Sequence, residues 1–376
     1  MIKTALAMTP LEELALLLRP AGGGIHVVST GKAEQQALQR RLYGAESEAD
    51  IRERWQETLA AIPSARTVVL GIPSDAGAGF VRGANLAPGR LREALLDDAP
   101  DFPQQLRRNG VLDMGDVFVC PQLLHDEMLS DAQLSASRRA LYPGHPSCTL
   151  PVSPLSMAER ALERVFELNP GVRVLLLGGD HSCAWPLAKA LSKGRGQDWG
   201  IVQPDAHTDL LEERLGIRYC FATWSLHASR LLASPGRMVQ VGTRASGRDR
   251  GHWESTTGVR QFWAEACNRD EPRALDEIVA ALKAAGVRQV YFSNDIDGTD
   301  AAWADATGTP EPGGLRPEFL LALLERLGAE FDVVAGDLVE VAPLAARTPG
   351  GWERTREVSV RYLRATLKAL SGGRWA

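Results

Sequence analysis

Ile201-Val202-Gln203-Pro204-Asp205-Ala206-His207-Thr208-Asp209 decides how this chain is read. A short apolar run of this kind is a buried strand, and the residues after it carry a carboxylate or an imidazole at every second position. In extended backbone that period sends Asp205, His207 and Asp209 to one side. The design returns twice: Val174-Leu-Leu-Leu177 runs into Gly178-Gly-Asp180-His181, and Val290-Tyr-Phe292 runs into Ser293-Asn-Asp295-Ile-Asp297. In an open parallel sheet, the carboxyl ends of the strands line the crevice where ligands bind. His181, Asp205, His207, Asp209, Asp295 and Asp297 are therefore expected to converge. Four carboxylates exceed the needs of one hydrated divalent ion but suit a pair of ions sharing bridging carboxylates. Carboxylate and imidazole without cysteine favour manganese, or another octahedral ion, over a thiolate zinc site. Like charges packed this closely would be costly without a cation. The chain reads as a two-metal hydrolase.

Outward from these motifs, strands are expected at Arg173 to Leu177, Gly200 to Gln203, Met238 to Gly242, Gln289 to Ser293 and Phe331 to Ala335. Helices are expected at Met157 to Leu168, from Pro186, at Leu275 to Ala285, at Pro317 to Leu327 and at Glu353 to Leu370. Such alternation means an α/β chain, a parallel sheet covered on both faces. Arg66-Thr-Val-Val-Leu-Gly-Ile is a further buried strand that opens into the turn-rich Pro73-Ser-Asp-Ala-Gly-Ala-Gly. The main domain, residues 66–376, is expected to begin there. Residues 1–65 read as a helical or irregular extension, with a capped helix starting at Thr9-Pro10. Residues 120–156, with several prolines, His125, His145 and little periodicity, read as a long surface excursion.

A chain of 376 residues, 44% hydrophobic and 24% charged, is ordinary for one large soluble core. The net charge of −5, with cations scattered, argues against a nucleic-acid or anionic-membrane partner and for a small-molecule substrate. Five cysteines without short paired spacing imply neither a disulfide framework nor a zinc knuckle, so reducing cytoplasm is expected. Glu12 and Glu13 interrupt the apolar run from Leu11 to Leu18, and neither a signal peptide nor a membrane span is expected.

The chain resembles the ureohydrolase family of arginases, agmatinases and formimidoylglutamases. The matching residues are Gly178-Gly-Asp-His-Ser182, Asp205-Ala-His-Thr-Asp209, Ser293 with Asp295-Ile-Asp297 and Asp300, Thr307-Gly-Thr-Pro310 and Asp337-Leu-Val-Glu340-Val-Ala-Pro343. Gly71-Ile-Pro73, Asp75, Gly77, Pro88-Gly-Arg-Leu-Arg92 and Gly115-Asp116 extend the match over about residues 66 to 371. The resemblance implies a three-layer α/β/α sandwich, the arginase-like fold, with two manganese ions per subunit. His181, Asp205, Asp209 and Asp295 would hold one ion, and Asp205, His207, Asp295 and Asp297 the other, with Asp205 and Asp295 bridging. A hydroxide between two divalent charges would attack the central carbon of a guanidinium or amidine. Asp209 would orient that hydroxide, and Glu340 would pair with the guanidinium. A homo-oligomer, trimer or hexamer, is implied as well.

Two departures bear on activity. The histidine that arginases and agmatinases carry past the second metal motif is missing from Arg218-Tyr-Cys-Phe-Ala-Thr-Trp224. His227 is the nearest candidate proton shuttle, delivered by a shifted loop; the alternatives are that it packs on a helix from Thr223 to Leu232, or that Tyr219 or Cys220 lines the pocket. Leu211 stands where arginases place a small polar residue against the amino-acid head group, which speaks against free arginine as substrate. Trp224 is the candidate substrate-binding aromatic, with Trp253, Trp263 and Trp303 behind it. The expected activity is agmatinase-like cleavage of a linear amidine or guanidino compound, releasing urea. Two rivals stand beside it: formimidoylglutamase-like chemistry releasing formamide, and a metal-binding pseudoenzyme subunit.

Overall fold

The buried apolar runs form the middle of a nine-stranded sheet in the computed structural model, which describes residues 8–79, 81–145 and 147–375. Residues 1–7 of the expected extension lie outside the described residues. In chain order the strands are β1 (Leu18–Arg19), β2 (Thr67–Gly71), β3 (Val111–Val117), β4 (Arg173–Leu177), β5 (Trp199–Pro204), β6 (Met238–Thr243), β7 (Arg260–Trp263), β8 (Gln289–Asp295) and β9 (Asp332–Val339). Across the sheet they run β1-β3-β2-β4-β9-β8-β5-β6-β7. The β1–β3 pair is antiparallel and every other pair is parallel.

Alternation along a strand divides its side chains between two cores. In β4, Val174 and Leu176 face one core with Met157, Leu162 and Leu187, from the helices Pro154–Leu168 and Ala184–Gly194. Leu175 and Leu177 face the other, with Leu91, Leu282, Leu320 and Leu363, from Ala87–Asp98, Glu271–Ala284, Pro317–Glu330 and Gly351–Leu370. Covering both faces explains why these strands read as unbroken apolar runs. The expected three-layer α/β/α architecture is found. No helix among the described residues is long and apolar enough to cross a membrane.

The strands β1, β3 and β7 were not expected from sequence. In Val111-Leu-Asp-Met-Gly-Asp-Val the polar residues mask the strand, and the fold uses them. Arg92, 1% exposed, donates to both oxygens of Asp113 at 2.7 and 2.8 Å and to Asp116 at 2.5 Å. The other oxygen of Asp116 accepts the Gly22 N–H at 2.7 Å, which ties the N-terminal segment to the sheet. That segment also forms the helices Lys32–Tyr43 and Glu48–Ala60, and Leu14, Leu17, Trp55 and Leu59 join the first core. The 120–156 excursion is more ordered than its composition suggests. It holds the helix Asp131–Leu141, started by a Ser130/Gln133 capping box.

Removing one partner of a buried ion pair leaves the others unpaired, so Arg92→Ala should lower stability by about 3–5 kcal/mol. Urea unfolding of the metal-free protein measures this, and a loss under 1 kcal/mol would show the network to be dispensable.

Candidate metal centre

Three parallel strands deliver the polar residues to one place. Asp205 follows β5, Asp295 ends β8, and His181 lies on the single turn His181–Cys183 just beyond β4. Asp180 caps that turn, accepting the Ser182 N–H at 2.8 Å and the Gly77 N–H at 3.0 Å. In the sheet, β4, β9, β8 and β5 are successive neighbours, so motifs far apart in sequence end side by side.

The outward lone pairs of the carboxylates are already engaged. Asp205 accepts the His207 N–H and the Gln203 amide, both at 2.6 Å. Asp297 accepts the Ala206 N–H at 3.1 Å and the Thr309 hydroxyl at 3.0 Å, and Asp295 accepts the Asp297 N–H at 2.9 Å. Asp209 accepts the Trp224 indole N–H at 3.0 Å.

The remaining atoms meet around two histidine nitrogens. His181 Nδ1 lies 3.1 Å from Asp205, 3.2 Å from Asp209 and 3.0 Å from Asp295, in each case from the Oδ2 atom. His207 Nδ1 lies 3.0 Å from Asp297 and 3.6 Å from Asp205. The result is two groups able to hold a cation, His181-Asp205-Asp295 and Asp205-His207-Asp297, which share Asp205.

Whether these residues suit a metal is decided by the His181 tautomer. Ser293 Oγ donates to Asp337 at 2.9 Å, so it accepts from His181 Nε2–H at 3.2 Å. That leaves the Nδ1 lone pair, buried and without a hydrogen-bond partner, aimed at three carboxylate oxygens. A cation among them satisfies all four atoms, and a neutral group does not.

Without a cation the cluster must hold protons instead. Burial and then the Asp205 charge raise the Asp209 carboxyl to about 7. Burial and the charges of Asp297 and Asp205 push Asp295 well above the carboxylate range. Burial opposes charge on the two histidines, yet the surrounding carboxylates raise His181 well above its ordinary value and His207 to about 12.

Glu340 follows β9 and is 8% exposed. Its N–H donates to the Gly179 carbonyl at 2.8 Å, and its carboxylate accepts the His181 N–H at 2.9 Å, which sets it beside the cluster. Burial and the Asp180 charge raise its pKa well above the ordinary range. Asp209 and Glu340 both have left-handed backbone, with φ of 52° and 60°, a conformation that costs a non-glycine residue energy.

Two expectations are corrected by this geometry. Trp224 is fully buried behind Asp209, with its ring 4.6 Å from that of His181, so it backs the cluster instead of presenting an open face to a substrate. His227, on the helix Trp224–Ser229, gives its Nε2 proton to the Glu212 carbonyl at 2.9 Å. Its ring packs edge-on against Tyr219 at 5.2 Å, so the shuttle role gives way to packing, the alternative weighed from sequence. Cys220 is buried, whereas Leu211 is 40% exposed. Gln203, Ser293, Asp337 and Thr309 were given no site role from sequence. For the first three the available signal was polarity inside a strand that must be buried on both faces, whereas Thr309 lies in a loop.

The arginase family model matches residues 65–367. Arginase 1, mitochondrial, of Arabidopsis thaliana is 30% identical over 81% of this chain and 81% of its own length. N(1)-aminopropylagmatine ureohydrolase of Thermus thermophilus is 39% identical over 48% of this chain and 59% of its own. Among solved structures, proclavaminate amidino hydrolase from Streptomyces clavuligerus superposes with a TM-score of 0.62 at 25% identity, covering 82% of this chain and 92% of that one.

The metal-free protein should lose stability as pH rises from 6.5 to 8. In that window His181 and His207 keep protons in the folded state that the unfolded chain releases, and Asp209 still holds part of one until it titrates near 7, so the slope of unfolding free energy with pH is negative. Saturating manganese should raise the melting temperature and flatten this dependence, and a chelator should restore it. A melting temperature that ignores both pH and manganese would contradict the assignment.

Proposed function

The chain belongs to the arginase family of hydrolases acting on guanidino C–N bonds, and from this we propose that it holds two manganese ions and releases urea from a linear amidine or guanidino compound. The observation that carries this reading is the sharing of Asp205 between two histidine-carboxylate groups. His181, Asp205, Asp209 and Asp295 would hold one ion, and Asp205, His207, Asp295 and Asp297 the other. When bound, such a pair supplies a water that is deprotonated near neutral pH.

The side chains account for the remaining needs. Glu340 offers a carboxylate to a guanidinium, the partner for which planar cations are suited. Asp209, fixed by the Trp224 N–H, accepts a hydrogen bond from the attacking water and orients it. Leu211, half exposed two residues beyond Asp209, offers no hydrogen bond from its side chain to an amino-acid head group, which favours agmatine-like substrates over free arginine.

Formimidoylglutamase-like release of formamide is the second reading, and it is favoured by the placement of His227 on the Glu212 carbonyl, away from a shuttle role. The pseudoenzyme reading is disfavoured because all six ligands remain, together with the groups that hold them. A small-molecule substrate, a homo-oligomer of trimer or hexamer type and a reducing compartment complete the proposal. All five cysteines are free, as that compartment requires.

Manganese-loaded protein should release urea from agmatine or a related guanidino compound, with arginine among the poorest substrates, as product analysis of a substrate panel will read. Formamide from a formimino compound would replace this reading with the second. Glu340→Gln, which keeps the shape but not the charge, should lower kcat/KM about a hundredfold. Unchanged kcat/KM would remove Glu340 from the substrate site.

A further inference from the structure

Three glutamines stand side by side on neighbouring strands. Gln203 on β5 is in register with Gln240 on β6, which is in register with Gln261 on β7. All three are fully buried. Burying three primary amides in a sheet is unfavourable unless their donors and acceptors are used, and here they are used on one another.

The hydrogen bonds run one way. The Trp263 indole N–H donates to Gln261 Oε1 at 2.9 Å. Gln261 Nε2 donates to Gln240 Oε1 at 2.8 Å, and Gln240 Nε2 to Gln203 Oε1 at 2.9 Å. Gln203 Nε2 donates to Asp205 Oδ2 at 2.6 Å. This is the same oxygen that faces His181.

The direction follows from the end groups. An indole N–H can only donate, so Gln261 must turn its carbonyl toward Trp263. At the inner end Gln240 also donates to the Thr208 carbonyl, which can only accept, and Ser225 Oγ donates to Gln203 Oε1 at 2.8 Å. An amide flip anywhere in the row would set two donors or two acceptors against each other. Aligned bonds of this kind polarise one another.

We propose that Gln261, Gln240 and Gln203 are a polarised amide relay that presents an N–H to Asp205 and thereby tunes the affinity of the cluster for its metal ions. This rests on the metal reading above. Gln203 is a positioning residue in contact with a ligand. Gln240 and Gln261 are positioning residues that act through it, from one and two strands away. Nothing in the row moves or carries away a proton; it fixes which end of each amide faces the ligand.

Calorimetric titration of the metal-free protein with manganese tests this on four chains: wild type, Gln203→Leu, Gln261→Leu and the double variant. Gln203→Leu should weaken binding about 10- to 100-fold, the usual effect of losing a group that orients a ligand. Gln261→Leu should weaken it about 3- to 10-fold in the wild-type background and less than about twofold in the Gln203→Leu background, because coupled sites are non-additive. Trp263→Phe, at the half-buried outer end, removes only the indole donor and should show a smaller effect of the same sign if Gln261→Leu does not fold. Equal effects of Gln261→Leu in both backgrounds, or unchanged affinity with Gln261→Leu and Trp263→Phe, would overturn the relay while leaving the metal site intact. Wild-type protein that takes up no manganese would overturn the metal reading and the relay with it.

Discussion

Carboxylates crowded at the open ends of parallel strands repel one another, and the rest of this structure is arranged around containing that repulsion. Each of the four carboxylates accepts at least one N–H or O–H from its surroundings and turns an oxygen toward a histidine nitrogen. Backbone amides of Ala206, His207 and Asp297 serve on the outside, together with Gln203, Thr309 and Trp224. What is left points inward, to the two histidine nitrogens. The dinuclear cation centre proposed above would complete such a shell, since fixed outer hydrogen bonds set these side chains in place before any ion arrives.

Placement of these groups depends on strand order rather than chain order. The parallel neighbours β4, β9, β8 and β5 bring residues 181, 340, 295 and 205 together, although β9 comes after β8 in the sequence and β5 before it. Crossover helices on both faces make this possible, and they bury both faces as they do so. Flat apolar strands and clustered charge at their ends are two results of one topology.

That link explains what could be read without coordinates. Strands such as Arg173–Leu177 were legible because double-sided burial leaves an unbroken apolar run. The convergence of the cluster was legible because charges at every second residue, directly after such a run, have few uses other than a shared cation. Strands β3 and β7 were missed because Asp113, Asp116 and Gln261 break the apolar pattern. Their partners, Arg92 and Gln240, come from other segments and leave no local trace. Trp224 and His227 look alike as aromatic candidates three residues apart in one helix. Only the fold shows one turned to Asp209 and the other to the Glu212 carbonyl.

The left-handed backbone at Asp209 and Glu340 has an evolutionary corollary. Glycine or asparagine would sit there more comfortably, so function and conformational ease pull in opposite directions at both positions. A lineage released from catalysis should drift toward those residues early and gain thermal tolerance as it does. This chain carries an acid at both positions in spite of that conformational cost.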